Sequence, residues 1–228
     1  MNLKQYILLV ACTIGFVTIN FAQHRQVPIK NGLGLHGGLT QFDIITDNFE
    51  TQKGNGFVVG GSATVDLTHK WYNVSYSIQL SENTIGIAAR PTLVSPTSEY
   101  IDYKLFAAQI TLQAHIKLIG SYLTLDVGPM LQYNGELELK DDKYKNYIIT
   151  NYNNLLAEEI SDISKFNIDG AVGLSAGLSH FRIKAQYIYG FTNMLSKLNK
   201  NDLDTSGNKD SKFNGNQSMF AISAMITF

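Results

Sequence analysis

Five histidines and one acidic loop are the residues of this 228-residue sequence whose chemistry is easiest to name. A histidine serves as a general base when a hydroxyl or carboxyl lies within hydrogen-bond reach and substrate can approach. His69 and His180 stand in short polar connections, His36 and His115 fall inside alternating segments, and His24 lies in an N-terminal leader. None stands in or beside a long polar connection, so general-base catalysis lacks its usual residue and no catalytic residue is expected. The stretch DLDTSGNKDSKF, 202 to 213, puts Asp202, Asp204, Ser206, Gly207 and Asp210 at calcium-loop positions. Its twelfth position is Phe213, where a calcium loop needs a bidentate glutamate, and its flanks read as strands. A hydrated turn-rich loop is the expectation, with no metal and no cofactor.

The other charges of interest are Asp66, His115, Asp126, Asp169, Arg182 and Lys184, which share one property: each sits at the polar parity of a period-two pattern. From Tyr122 to Asn134, Leu123, Leu125, Val127, Leu131 and Tyr133 share one face, while Thr124, Asp126, Gln132 and Asn134 share the other. Phe166, Ile168, Val172, Leu174 and Leu178 oppose Asn167, Asp169 and Ser175. Phe181, Ile183, Ala185, Tyr187, Tyr189 and Phe191 oppose Arg182, Lys184 and Gln186. Similar alternation runs over about 103 to 118, 72 to 80 and 57 to 67, with a Gly-rich first segment from 32 to 42 and a last from 219 to 228. That makes eight strands.

Their connections also alternate. Those near 68 to 71, 118 to 121 and 179 to 180 are short, and those near 43 to 56, 81 to 102, 140 to 165 and 193 to 216 are long. Short turns at one end and long loops at the other are the signature of up-and-down antiparallel order. Composition agrees: 12 Tyr, 12 Phe and 19 Gly beside 4 Pro favour strands. A formal net charge of -1 without a basic tract excludes nucleic acid as a partner.

The first residues, MNLKQYILLVACTIGFVTINFAQ, have the layout of a secretory signal peptide, with one early Lys, an apolar run and a small residue before the cleavage point. Cleavage near Ala22 is expected, leaving 1–22 as signal peptide and 23–228 as one barrel domain. Cutting before Cys12 at LVAC would instead leave an apolar mature N-terminus, unlike the polar linker of a lipid-anchored protein.

Strands of about 9 to 14 residues exceed the globular mode of 5 or 6, and a tilted membrane-spanning strand needs about 9 to 11. No charge falls on the apolar stripes, where one at mid-depth would cost about 2–4 kcal/mol. Aromatic residues gather at the stripe ends: Tyr133, Phe166, Tyr187, Tyr189 and Phe220 toward the long loops, Trp71, Tyr72, Phe181 and Phe228 toward the short turns. The fold expected is therefore all-β, a single antiparallel up-and-down transmembrane β-barrel of about eight strands in the bacterial outer membrane. Lipid would take the apolar stripe, and Asp66, His115, Asp126, Asp169, Arg182 and Lys184 would form a polar network in the lumen. A soluble periplasmic binding barrel with the stripes inside is the opposite reading.

Four segments resemble the small outer-membrane β-barrels related to PorT: Phe21-Ala22-Gln23, LDVGPMLQY (Leu125 to Tyr133), YGFTNML (Tyr189 to Leu195) and the final ITF. The resemblance implies an eight-stranded barrel, like the OmpA and OmpX barrels, without enzyme activity, and an association of some relatives with secretion of surface proteins. It carries over no functional residues. A filled lumen argues against bulk diffusion, although a narrow channel, a hydrophobic-ligand transporter and a lipid-modifying barrel enzyme remain alternatives. The partners expected are outer-membrane lipid and lipopolysaccharide, the barrel-insertion machinery with Phe228 as the insertion signal, and a protein or glycan at loops 140–165 and 193–216. Within the first of these loops, NLLAEEISDI has the pattern of a short amphipathic helix.

Overall fold

The computed structural model describes residues 31–67, 69–208 and 212–228. The expected signal peptide, Cys12, His24 and Asp210 lie outside them.

Eight long strands close into one ring. In chain order they are β1 (Gly32–Thr46), β2 (Thr51–Val65), β3 (Tyr72–Arg90), β4 (Glu99–Ile119), β5 (Leu123–Leu139), β7 (Phe166–Gly177), β8 (Phe181–Gly190) and β9 (Gly215–Thr227), with a two-residue β6 (Ile148–Ile149) between β5 and β7. Every neighbouring pair is antiparallel, sequential strands pair, and β9 returns to β1, for example Leu39 opposite Ile222. The ladder leaves no free long edge, which is what a bilayer demands of backbone groups that water cannot reach. At one end the connections are tight. Between β4 and β5 the chain reverses through Gly120, whose φ of 51° suits glycine, and the Tyr122 amide donates to the Ile119 carbonyl at 3.0 Å.

The period-two pattern resolves as the alternation requires. Leu35, Leu39, Ile78, Ile110, Leu131, Val172, Ile183 and Ile222 point outward and are exposed, whereas Ser75, Gln109, Asp126, Gln132, Asn167 and Gln186 point inward and are buried. The outer wall is thus apolar and the lumen polar. On β4 the outward run from Phe106 to Ile116 rises about 25 Å, at about 3.3 Å per residue and a tilt of about 40°, which is the height of a membrane barrel's apolar band. Aromatic rings border that band, with Tyr133 against Phe166 at 5.0 Å and Tyr189 against Phe191 at 5.9 Å on one side, and Trp71 against Tyr72 at 5.1 Å on the other. Phe57 and Phe106, on the apolar stripes of β2 and β4, extend the upper ring.

Above the band the molecule differs from the sequence reading. The segments 43–56 and 81–102 are mostly strand: β1 continues to Thr46, β3 to Arg90, and β4 begins at Glu99. The reason is a change of sign. Inward positions there become apolar, as in Phe42, Ile44, Ile85, Ile87, Ile101, Tyr103 and Leu105, while outward Asp102 and Lys104 become polar. Two one-residue bulges mark the change, in β2 between Lys53 and Gly56 and in β5 between Asn134 and Leu137. A bulge shifts the parity of the strand beyond it, so Leu137 faces inward although it continues the count of outward Leu131 and Tyr133.

This upper wall surrounds an apolar core built with the two long loops. β6 pairs with Ala89 and Arg90 of β3, and Leu155, Ala157, Ile160, Ile163, Met194, Leu195, Leu198 and Phe213 are buried against the strands. NLLAEEISDI forms a single 3-10 turn, Ala157–Ile160, in place of a longer helix, with the Leu156 amide donating to Glu159 at 2.7 Å.

Candidate functional site

The lumen has three levels. At the short-turn end, β4, β5 and β8 bring four of the expected residues together. His115 Nδ1 lies 2.7 Å from Asp126 Oδ1, Thr124 donates to the same oxygen at 2.7 Å, and Lys184 Nζ is 4.0 Å from Oδ2. Arg182 donates to the Ser121 carbonyl at 2.7 Å and to the Thr124 and Ser175 hydroxyls at 3.3 and 3.2 Å. Asp66 stands apart from this cluster and pairs with Lys117 at 3.2 Å, a partner the sequence reading did not name. A cavity of about 50 Å³ lies beside the cluster, also lined by His36 and Ser77. At about 10–15 Å³ per water it has room for a few water molecules.

A belt of amides crosses the lumen above. His36 meets Gln79 at 3.1 Å, Gln79 donates to Gln109 at 2.5 Å, Gln109 to Gln132 at 2.6 Å, and Gln132 meets Gln217 of β9. Asn134 extends the belt to Asn167 at 2.9 Å, and Asn167 reaches Thr192. Each of these residues except Thr192, which follows β8, occupies the inward parity of its strand, a signal present in the sequence.

Asp169 is the exception. It is fully buried in β7, apart from the lower cluster, and neither carboxyl oxygen has a hydrogen-bond partner among the described residues. Its ladder neighbours are Met130 and Gly190, which offer no charge. A buried carboxyl without partners is destabilising, so Asp169→Leu, of similar size and apolar, is expected to raise stability by about 1–3 kcal/mol. The unfolding midpoint in detergent measures this, and a fall of that size would show that the carboxyl is stabilising.

The third level is the apolar core at the mouth. Phe49, Tyr152 and Phe213 form an aromatic trio with centroids 5.8 to 6.2 Å apart. Asparagines lace the loops onto the wall: Asn48 donates to Lys212 O at 3.0 Å, and Asn193 accepts from the Leu195 and Gly215 amides at 2.9 Å. Arg90 donates to the Tyr152 carbonyl at 2.9 Å and Tyr103 to the Ala157 carbonyl at 2.9 Å. In the calcium-like segment, Asp204 accepts from the Ser206 amide at 2.9 Å, and hydrogen bonding from the Ser206 side chain, then its backbone, holds the carboxyl below the usual range. No group of three metal-ligating side chains occurs among the described residues.

Chemically, this is a closed post. The lower lumen is a bonded polar core, the middle is an amide belt, and the mouth is filled by the loops. His180, whose Nδ1 is 2.9 Å from the Ser179 hydroxyl, sits at the short-turn end and away from that mouth.

The architecture is that of an up-and-down eight-stranded barrel with an apolar outer wall, the class to which small outer-membrane barrels belong. No known family profile matches the sequence, and no curated protein matches it. Among solved structures, Ail, the attachment invasion locus protein of Yersinia pestis, in complex with the heparin analogue sucrose octasulfate, is similar at 13% identity and a TM-score of 0.45, over 87% of this chain and 100% of that one. The translocator domain of the autotransporter NalP from Neisseria meningitidis is similar at 9% identity and a TM-score of 0.32, over 98% and 96% of the two chains. An outer-membrane channel from Pseudomonas putida F1 follows at 8% identity and 0.30, over 91% and 98%.

Proposed function

We propose that this protein is a non-enzymatic integral barrel of the bacterial outer membrane whose long-loop end forms a rigid extracellular platform for interaction. The single observation that carries this reading is the exposed apolar belt, bordered by aromatic rings and free of charge, around a polar lumen. Water would solvate such a belt poorly, and a bilayer of matching thickness is the solvent it fits. The closed mouth supports interaction over conduction, because loops 140–165 and 193–216 are spent largely on packing and the lumen is crossed by bonded side chains. The resemblance to PorT-related barrels supports a role as an accessory to secretion of surface proteins. Fractionation is the test. The protein should stay with the membrane through salt and carbonate washes, and folded protein should migrate faster than boiled protein in a detergent gel. Recovery of folded protein without detergent would overturn the reading.

A further inference from the structure

The outward face of β4 continues above the aromatic ring as Lys104, Asp102 and Tyr100, two residues and about 5 Å of height per row. The turn after β5 folds beside it, and the two flank an open concavity of about 730 Å³ on the outer side of the wall. Tyr100 is 43% exposed, and its hydroxyl donates to Glu50 at 2.9 Å, which fixes the ring while leaving it open to solvent. Tyr144 also lines the concavity, packing on the upper core and meeting Tyr147 edge-on at 4.9 Å, and Lys143 lies 4.5 Å from the Tyr144 ring centre. The same lining carries donors paired with acceptors. Lys140 pairs with Asp102 at 3.5 Å, and Lys143 with Asp141 at 3.0 Å.

We propose that this bay binds a saccharide, with a pyranose ring stacked on Tyr100 and its hydroxyls bonded to the Asp102–Lys140 and Asp141–Lys143 pairs. The chemistry of the lining selects the ligand class. Each lysine is already matched by a carboxylate, and Asp142 is itself matched by Lys145 at 3.2 Å, so the bay has no positive surplus for a sulfated or phosphorylated group. The Asp141 carboxyl is held below its usual range by Lys143, which keeps it an acceptor at neutral pH. An acyl chain would meet charge in every row. A neutral sugar has an apolar face for an aromatic ring and a rim of hydroxyls that both donate and accept, which is the complement of this surface. The proposal rests on the extracellular orientation assigned above. Its height just above the aromatic ring allows two sources, the core sugars of a neighbouring lipopolysaccharide or a glycan from outside the cell.

The test uses the full-length protein in phospholipid nanodiscs. Native mass spectrometry reads retention of rough lipopolysaccharide included in the disc, and saturation-transfer NMR reads a soluble mannose-rich oligosaccharide. Binding of the first alone assigns the headgroup as source, and binding of the second assigns an external glycan. In either case Tyr100→Ala should weaken binding at least tenfold, while Tyr100→Phe, which keeps the ring, should weaken it less than threefold. The proposal is overturned if neither probe binds, if Tyr100→Ala binds as the parent does, or if a sulfated disaccharide binds more tightly than its unsulfated form. Heat-modifiable gel mobility shows separately that the parent and each variant are folded membrane barrels, so absence of sugar binding by the folded parent rejects the bay and leaves the membrane assignment standing.

Discussion

Asp126→Ala is expected to destabilise the barrel by about 3–5 kcal/mol, the cost of leaving buried charges without their partner. Asp126 is fully buried and is the carboxylate that His115, Thr124 and Lys184 face, with Arg182 joined to it through Thr124. Removing it leaves two cations at the base of a lumen walled by protein and lipid. The loss should appear as a lower urea midpoint in detergent. Adding Lys184→Met should recover part of it, since two residues of one network are not additive. By contrast, Glu82→Ala breaks a pair with Lys104 that is over 40% exposed on both sides, and should change stability by less than about 1 kcal/mol.

Phe213→Ala is expected to cost about 3–5 kcal/mol through the cavity it leaves in the mouth. The ring is buried between Phe49 and Tyr152, and the Phe213 backbone is clamped by Asn193 and Asn199 at 2.7 to 2.9 Å. Because backbone bonds and side-chain packing hold the loop together, the change should also raise protease cleavage within 140–165 while the lower barrel stays protected. Unchanged cleavage would mean that the aromatic trio does not hold the two loops. The ladder and the amide belt lie below this core, so the variant should still show no ion conductance in a planar bilayer.

How much of this was legible in the sequence depends on depth along the strands. Within the band, the alternation of Leu125, Val127 and Leu131 with Asp126 and Gln132 specifies both the strand and its faces, because lipid and lumen impose opposite polarities. Strand order and the short-turn end follow from the same pattern. Above the band the environments exchange: water lies outside and the loops lie inside, so Ile85, Ile101 and Tyr103 continue an inward parity that was polar below. Alternation of one sign therefore stops at Leu80 and Phe106, and in the sequence the strands read as ending where only their surroundings change. The bulges in β2 and β5 hide the continuation further, since a residue count carried across them assigns the wrong face to Leu137.

The functional residues show the same division. Asp126, His115, Lys184 and Arg182 meet because inward parity on β4, β5 and β8 points all four into one narrow lumen. Asp169 shares that parity but lands one level too high to be paired, among residues that contribute no charge. Phe213 reads in sequence only as the residue that spoils a calcium loop, yet it belongs to the core that closes the mouth. Tyr100 and the Asp102–Lys140 pair read as loop residues because the strand that carries them lies above the band.

The central claim is that lipid, and not protein or water, covers the outer wall. Nitroxide labels at Leu131→Cys and Gln132→Cys, adjacent on β5 and on opposite faces, test it in liposomes by collision with oxygen and with a water-soluble nickel complex. The expected result is a label at position 131 that is accessible to oxygen and shielded from nickel, beside a label at 132 that neither reagent reaches freely. A label at 131 that collides with nickel as an exposed loop residue does would contradict the claim.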